Sequence, residues 1–130
     1  MIVELSADFR FGDYGTFLRI KDPQWEHVEA AIRLLDQSAH TETTLTLNDE
    51  EYMSISGGSG RYFVFIWTKD EVSLQPYDES APDEQEGIVS GGQGIWSGTR
   101  FLLDLDGALT AAKHYFDTGW PSREFIWVET

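Results

Sequence analysis

The sequence predicts an α+β protein: an antiparallel sheet of about five to seven strands with two main helices packed on it, in a single domain over residues 1–130. Three observations carry this. Apolar residues recur with a helical period in two segments, 22–37 and 104–118. They alternate with a period of two between 43 and 77, and clusters of turn-forming residues separate the alternating runs. Size agrees, since a chain of 130 residues buries roughly two-thirds of the surface its unfolded form exposes and supports one core. Hydrophobic residues make up 41% and aromatic residues 14% of the chain, enough bulk for that core with some left over for a surface site.

Ile2 to Phe9 alternates loosely as a first strand, Gly12-Asp13-Tyr14-Gly15 interrupts the pattern, and Phe17-Leu18-Arg19-Ile20 resumes it. Asp22-Pro23 then opens a helix, with Asp as cap and Pro at the first helical position, where a missing amide costs nothing. Trp25, Val28, Ile32 and Leu35 form its apolar stripe, and the helix is expected to end near Gln37. Beyond Thr43 the period becomes two. Leu45 and Leu47, Met53 and Ile55, and Val72 and Leu74 each alternate with polar neighbours, and Asn48-Asp49-Glu50-Glu51, Gly57-Gly58-Ser59-Gly60 and Lys69-Asp70 mark the turns of an antiparallel meander. Tyr62 to Trp67 is apolar throughout, as expected of a strand covered on both faces or one whose outer face binds something. Residues 78–94 hold five carboxylates within 78–86 and no large apolar side chain there, and so read as a solvated loop. Ile95-Trp96 and Arg100-Phe101-Leu102-Leu103 bring the chain back to the sheet.

The last segment is the best specified. Leu105, Ala108, Leu109, Ala112 and Phe116 fall on one helical face, Asp104 accepts from the free amides of the first turn, and Gly119 takes the left-handed conformation just past the end. Trp120 to Glu129 reads as a short terminal strand. Trp67, Trp127 and Phe116 are expected in the core, while Trp96, in a Gly-rich neighbourhood, is as well suited to a surface.

Composition excludes several functions. With 23 acidic and 9 basic residues the formal charge is -14, which repels nucleic-acid backbones and anionic lipid while favouring a cationic partner; solubility alone also accounts for such a balance. There is no Cys, hence no thiol nucleophile, disulfide or Cys-ligated metal. His27, His40 and His114 form no metal-ligand spacing, and the helical pair is expected on polar or flanking faces. Neither Gly-rich segment matches a nucleophile elbow or a dinucleotide fingerprint. Asp104-Leu105-Asp106-Gly107 lacks the end ligands of a calcium loop, since Leu102 and Lys113 occupy those positions. No carboxylate pair is nominated for acid–base work. The expectation is therefore a non-enzyme without cofactor or metal. With no basic-then-apolar leader and no long apolar run, it is expected to be cytoplasmic, touching neither nucleic acid nor membrane.

The ending "ALTAAKHYFDTGWPSREFIWVE" resembles that of the Imm1 immunity proteins of bacterial polymorphic toxin systems. They too close with an Ala-rich helix, an aromatic pair, a Pro-containing turn and a strand carrying Trp. The resemblance implies an α+β protein that binds and inhibits a cognate toxin, often of the deaminase superfamily or otherwise directed at nucleic acid, by occluding its site. A basic toxin cleft would be steered toward an acidic inhibitor. The candidate contact residues are Tyr77, Asp78, Glu79, Asp83, Glu84, Glu86 and Trp96, with Asp49, Glu50 and Glu51 as a second acidic tip. The alternative is a small-ligand-binding α+β module whose aromatic surplus lines a pocket. The oligomeric state is left open.

Overall fold

Residues 1–130 are described by a computed structural model. The period-two segments do form a sheet with one face in the core: Leu45, Met53, Ile55, Val64 and Ile66 are all buried on it. In chain order the elements are β1 (Glu4–Phe11), β2 (Tyr14–Lys21), α1 (Trp25–Leu34), β3 (Glu42–Thr46), β4 (Tyr52–Gly58), β5 (Arg61–Trp67), β6 (Ser73–Tyr77), β7 (Gln85–Ser90), β8 (Gln93–Gly98), β9 (Leu102–Leu103), α2 (Leu105–Thr118) and β10 (Ile126–Glu129). A short 3-10 turn over Thr99–Phe101 links β8 to β9. The main antiparallel sheet runs β10-β6-β5-β4-β3-β1-β2, with β9 beside β5, and β7-β8 make a second, two-stranded sheet.

Both helices lie on one face of the main sheet. Val28 and Ile32 of α1 and Ala108, Ala111, Ala112 and Tyr115 of α2 join Leu5, Leu45, Met53, Ile55 and Val64 in one cluster. Each fully buried aliphatic side chain contributes roughly 1.5–3 kcal/mol, and the three alanines let α2 lie close to the strands. Asp104 caps α2 by accepting from the Gly107 amide at 2.7 Å, and Gly119 ends it at φ 73°. Trp127 and Phe116 pack against the core. Trp67 does not: it sits half-buried on the opposite face of the sheet, where Phe63, Phe65 and Tyr52 form an aromatic row.

The Tyr115 hydroxyl is buried without a hydrogen-bond partner. Burial, and secondarily the negative charge of Glu51, push its ionisation far above the ordinary tyrosine range, so it stays neutral. Removing an unpaired buried hydroxyl relieves its desolvation cost, and Tyr115→Phe is expected to stabilise the fold by about 1 kcal/mol in a urea titration; a loss of stability contradicts this account.

Four further expectations are corrected. The first hairpin is longer than its interrupted pattern suggests: Phe11 pairs with Tyr14 across Gly12-Asp13 alone. Asp22 is no cap, since it adopts a left-handed φ of 49°; the cap is Gln24, whose backbone N–H donates to His27 Nδ1 at 3.0 Å. The helix stops at Leu34 rather than near Gln37. Residues 78–94 are not one solvated loop, because Gln85–Ser90 and Gln93–Gly98 pair around Gly91-Gly92, whose φ values of 58° and 79° suit the tight two-residue hairpin turn. Ile95 and Trp96 belong to this hairpin, and only Leu102–Leu103 rejoins the main sheet, opposite Phe63 and Tyr62.

This β7–β8 hairpin covers the far face of the sheet at one end. Ile88 is buried there, Ser90 Oγ lies 2.7 Å from Ser56 Oγ, and Gln37 bridges the two sheets, accepting from the Val89 amide at 3.0 Å and donating to the Gly58 carbonyl at 3.1 Å. The order of layers at that end is helices, sheet, hairpin.

Candidate functional site: an acidic groove at one sheet edge

β6 ends at Tyr77, and β10 runs antiparallel beside it with Ile126 opposite Tyr77. The chain then passes through residues 78–84, which are tied down rather than loose. The Asp78 amide donates to the Arg100 carbonyl at 2.9 Å, Arg100 Nε to the Ala81 carbonyl at 3.0 Å, and the Thr99 hydroxyl to the Pro82 carbonyl. Tyr77 packs on Phe101 with ring centroids 5.1 Å apart. Between this segment, the start of α2 and the approach to β10 lies an open groove of about 950 Å³.

Five carboxylates line it, from Asp78, Glu84, Glu86, Asp104 and Glu124, with Arg61 as the one cationic side chain and Tyr77, Phe125 and Ile126 as apolar surface. Arg61 Nε meets Glu86 at 3.1 Å, with both side chains more than a third exposed, so that pair contributes under about 1 kcal/mol. Asp78 accepts from the hydroxyl and amide of Ser80 at 2.6 and 2.9 Å, which holds its carboxyl below the usual range and keeps it charged. The Arg100 guanidinium, which also donates to the Tyr77 hydroxyl at 3.3 Å, offsets part of the Asp78 charge, whereas Glu84, Asp104 and Glu124 form no ion pair and leave net negative charge beside exposed apolar surface, a combination suited to a cationic loop carrying Lys or Arg.

Of the residues expected at a contact surface, the groove gathers Tyr77, Asp78, Glu84 and Glu86. Glu79 and Asp83 are exposed on the same segment but do not line it. Trp96 is 77% exposed and lies across from Gly87, on the face of the hairpin opposite Glu86 and Ile88, so it does not join the groove. Asp49, Glu50 and Glu51 occupy the β3–β4 turn, where Asp49 and Glu50 flank Trp67 and Lys69. The seven residues of β4 separate that turn from the groove end of the sheet, roughly 20 Å from first to last at strand spacing, so the two acidic clusters are separate surfaces. Sequence reasoning did not nominate Arg61, Asp104, Glu124, Phe125 and Ile126. Asp104 reads as a helix cap and serves as one; nothing local marks the others.

A second polar cluster is internal. Asp8 is 2% exposed and accepts from the Thr41 amide at 2.6 Å, the Glu42 amide at 2.9 Å, Arg10 Nε at 2.7 Å and the Thr41 hydroxyl. Burial pushes its carboxyl up, but these four hydrogen bonds together outweigh that, and the net shift is downward. The Thr41 oxygen in turn accepts from the Gly92 amide at 2.9 Å, which ties the tip of the β7–β8 hairpin to β1. Burial, then the Asp8 charge, raise Glu42 above the ordinary glutamate value.

Beside this cluster an apolar cleft of about 270 Å³ opens between the β1–β2 hairpin and α1, with Leu18, Ile20, Ala31 and Leu34 among its walls. No group of three His, Asp or Glu side chains is arranged to hold a metal ion, and no helix is long and apolar enough to cross a membrane. Neither a protein-family model nor a curated protein sequence matches the chain.

Proposed function

We propose that this chain is an immunity protein of the Imm1 type, which inactivates a basic toxin in the producing cell's cytoplasm by seating a cationic loop of the toxin in the acidic groove. The observation that carries the reading is the convergence of five carboxylates from three separated chain segments on one open groove with a single guanidinium. The net charge of -14 extends the attraction beyond contact distance. Tyr77 and Phe125 supply the apolar anchors that affinity needs, because exposed ion pairs alone add little. Occlusion requires no chemistry of the inhibitor, in keeping with a non-enzymatic role without cofactor.

The test is to mix the protein with the basic toxin encoded beside it and measure binding as ionic strength rises. Tight pairing of one chain with one chain is expected, with association slowing steeply once the screening length falls below about 10 Å. Absence of a complex at low salt removes the proposal. The small-ligand reading has one observation in its favour, the apolar cleft under the first hairpin. That cleft is more enclosed than the acidic groove and almost wholly apolar, with Leu18 and Leu34 exposed at its rim, the setting a small apolar ligand needs.

A further inference from the structure

The two edges of the main sheet differ. β10 offers four residues, whereas β2 offers eight with no Pro, and all but Ile20 are exposed. The hairpin turn determines which backbone groups of β2 are free. A two-residue turn closes on a hydrogen-bonded pair, here Phe11 and Tyr14, so Tyr14, Thr16, Leu18 and Ile20 bond inward to β1. The Asp22 amide, donating to the Val3 carbonyl at 3.0 Å, continues the same parity. The amides and carbonyls of Gly15, Phe17, Arg19 and Lys21 therefore point outward along an unpaired edge. Arg19 and Lys21 are the charged side chains on this edge, but Phe17 and Leu18 at its centre are exposed and no Pro or bulge interrupts it, so its free backbone groups can pair with another strand.

We propose that this strand is a second copy of β2, antiparallel about a two-fold axis through Leu18, joining two main sheets into one. Charge selects the occupant. Within residues 4–21, Glu4, Asp8 and Asp13 are balanced by Arg10, Arg19 and Lys21, whereas the whole chain carries -14. An equally acidic second molecule meets least repulsion at this neutral hairpin, and a basic partner gains nothing there that the groove does not offer better.

Register follows from the two-fold, which keeps the faces of the joined sheet continuous and sets Leu18 against Leu18, Phe17 against Arg19 and Gly15 against Lys21. No like charges face each other. Arg19 already lies 5.5 Å over its own Phe17 ring and gains a second ring from the other copy. Leu18, 62% exposed in one copy, is covered at the mouth of the apolar cleft. β2 and β10 stand at opposite ends of the strand order, so both acidic grooves of the dimer stay open.

The test combines sedimentation velocity from micromolar to millimolar concentration with residue-resolved amide exchange, on the unaltered protein and on Leu18→Lys. The unaltered protein is expected to reach twice the monomer mass. In it the amides of Gly15, Phe17, Arg19 and Lys21 exchange about tenfold or more slowly than in the dilute monomer, while Thr16 and Leu18 are slow in both states. Leu18→Lys opposes two lysines at the axis and is expected to stay monomeric with those four amides fast. Dilution supplies the same reference state without a mutation, so a misfolded variant does not blunt the test. A monomer at every concentration overturns the proposal. So does a dimer whose four outward amides remain fast, or protection that arises only when the basic partner is added.

Discussion

Reversing Asp78, Glu84 and Glu124 together to lysine is expected to slow association with the proposed basic toxin by about tenfold or more, the scale of electrostatic steering, and to leave the melting temperature within a few degrees. These three side chains line the groove and none of them caps a helix, forms an ion pair or fills the core. Glu86 is left in place because it holds Arg61, and Asp104 because it caps α2. Stopped-flow association at low salt checks the result. Unchanged kinetics in the triple variant would move the contact surface elsewhere, and reversing Asp49 and Glu50 in the distant β3–β4 turn is the matched control.

The largest loss of stability belongs to Asp8. Asp8→Ala leaves the Thr41 and Glu42 amides, the Thr41 hydroxyl and the Arg10 guanidinium without their shared acceptor, and breaks the relay from Thr41 to Gly92. Removing one partner of a buried charged network costs roughly 3–5 kcal/mol, or about 10–20 °C in melting temperature for a chain of this size. The pH dependence follows from the lowered carboxyl. Its stabilisation is complete above about pH 4, the ordinary aspartate value, and is lost as pH falls through the lower folded value. Urea titrations across acidic pH are therefore expected to show the gap between the unaltered protein and Asp8→Ala closing only at strongly acid pH. A gap that is constant with pH, or smaller than about 1 kcal/mol at neutrality, contradicts this role.

The α+β class, the meander and α2 were legible because each is encoded locally. Leu45, Met53, Ile55 and Val64 alternate with their neighbours, and Asp104 and Gly119 bracket a single apolar stripe. The β7–β8 hairpin was missed because Gln85-Glu86-Gly87 has the composition of a loop; its stability comes from Ile88 packing on the far face of the sheet and from contacts with Gln37 and Ser56. The signal was present in Gly91-Gly92, the dipeptide a two-residue hairpin turn prefers, set between Ile88-Val89 and Ile95. Trp67 was misplaced because an unbroken apolar run does not reveal which residues face the helices.

The candidate groove was half legible. Tyr77, Asp78, Glu84 and Glu86 lie close together in sequence, whereas Arg61, Asp104 and Glu124 reach them only through strand order, which local pattern does not encode. The same reasoning separates Trp96 and the Asp49–Glu51 turn from that groove.

The pairing of Ile126 with Tyr77 also bears on timing. The wall formed by Glu124, Phe125 and Ile126 is translated some fifty residues after the strand it completes, and closing a span of that length costs about 3–4 kcal/mol in chain entropy. A ribosome-bound chain released only as far as α2 would display most of the hydrophobic core but an incomplete groove. The groove would then close only once Glu124, Phe125 and Ile126 had emerged, well after the bulk of the domain had taken shape.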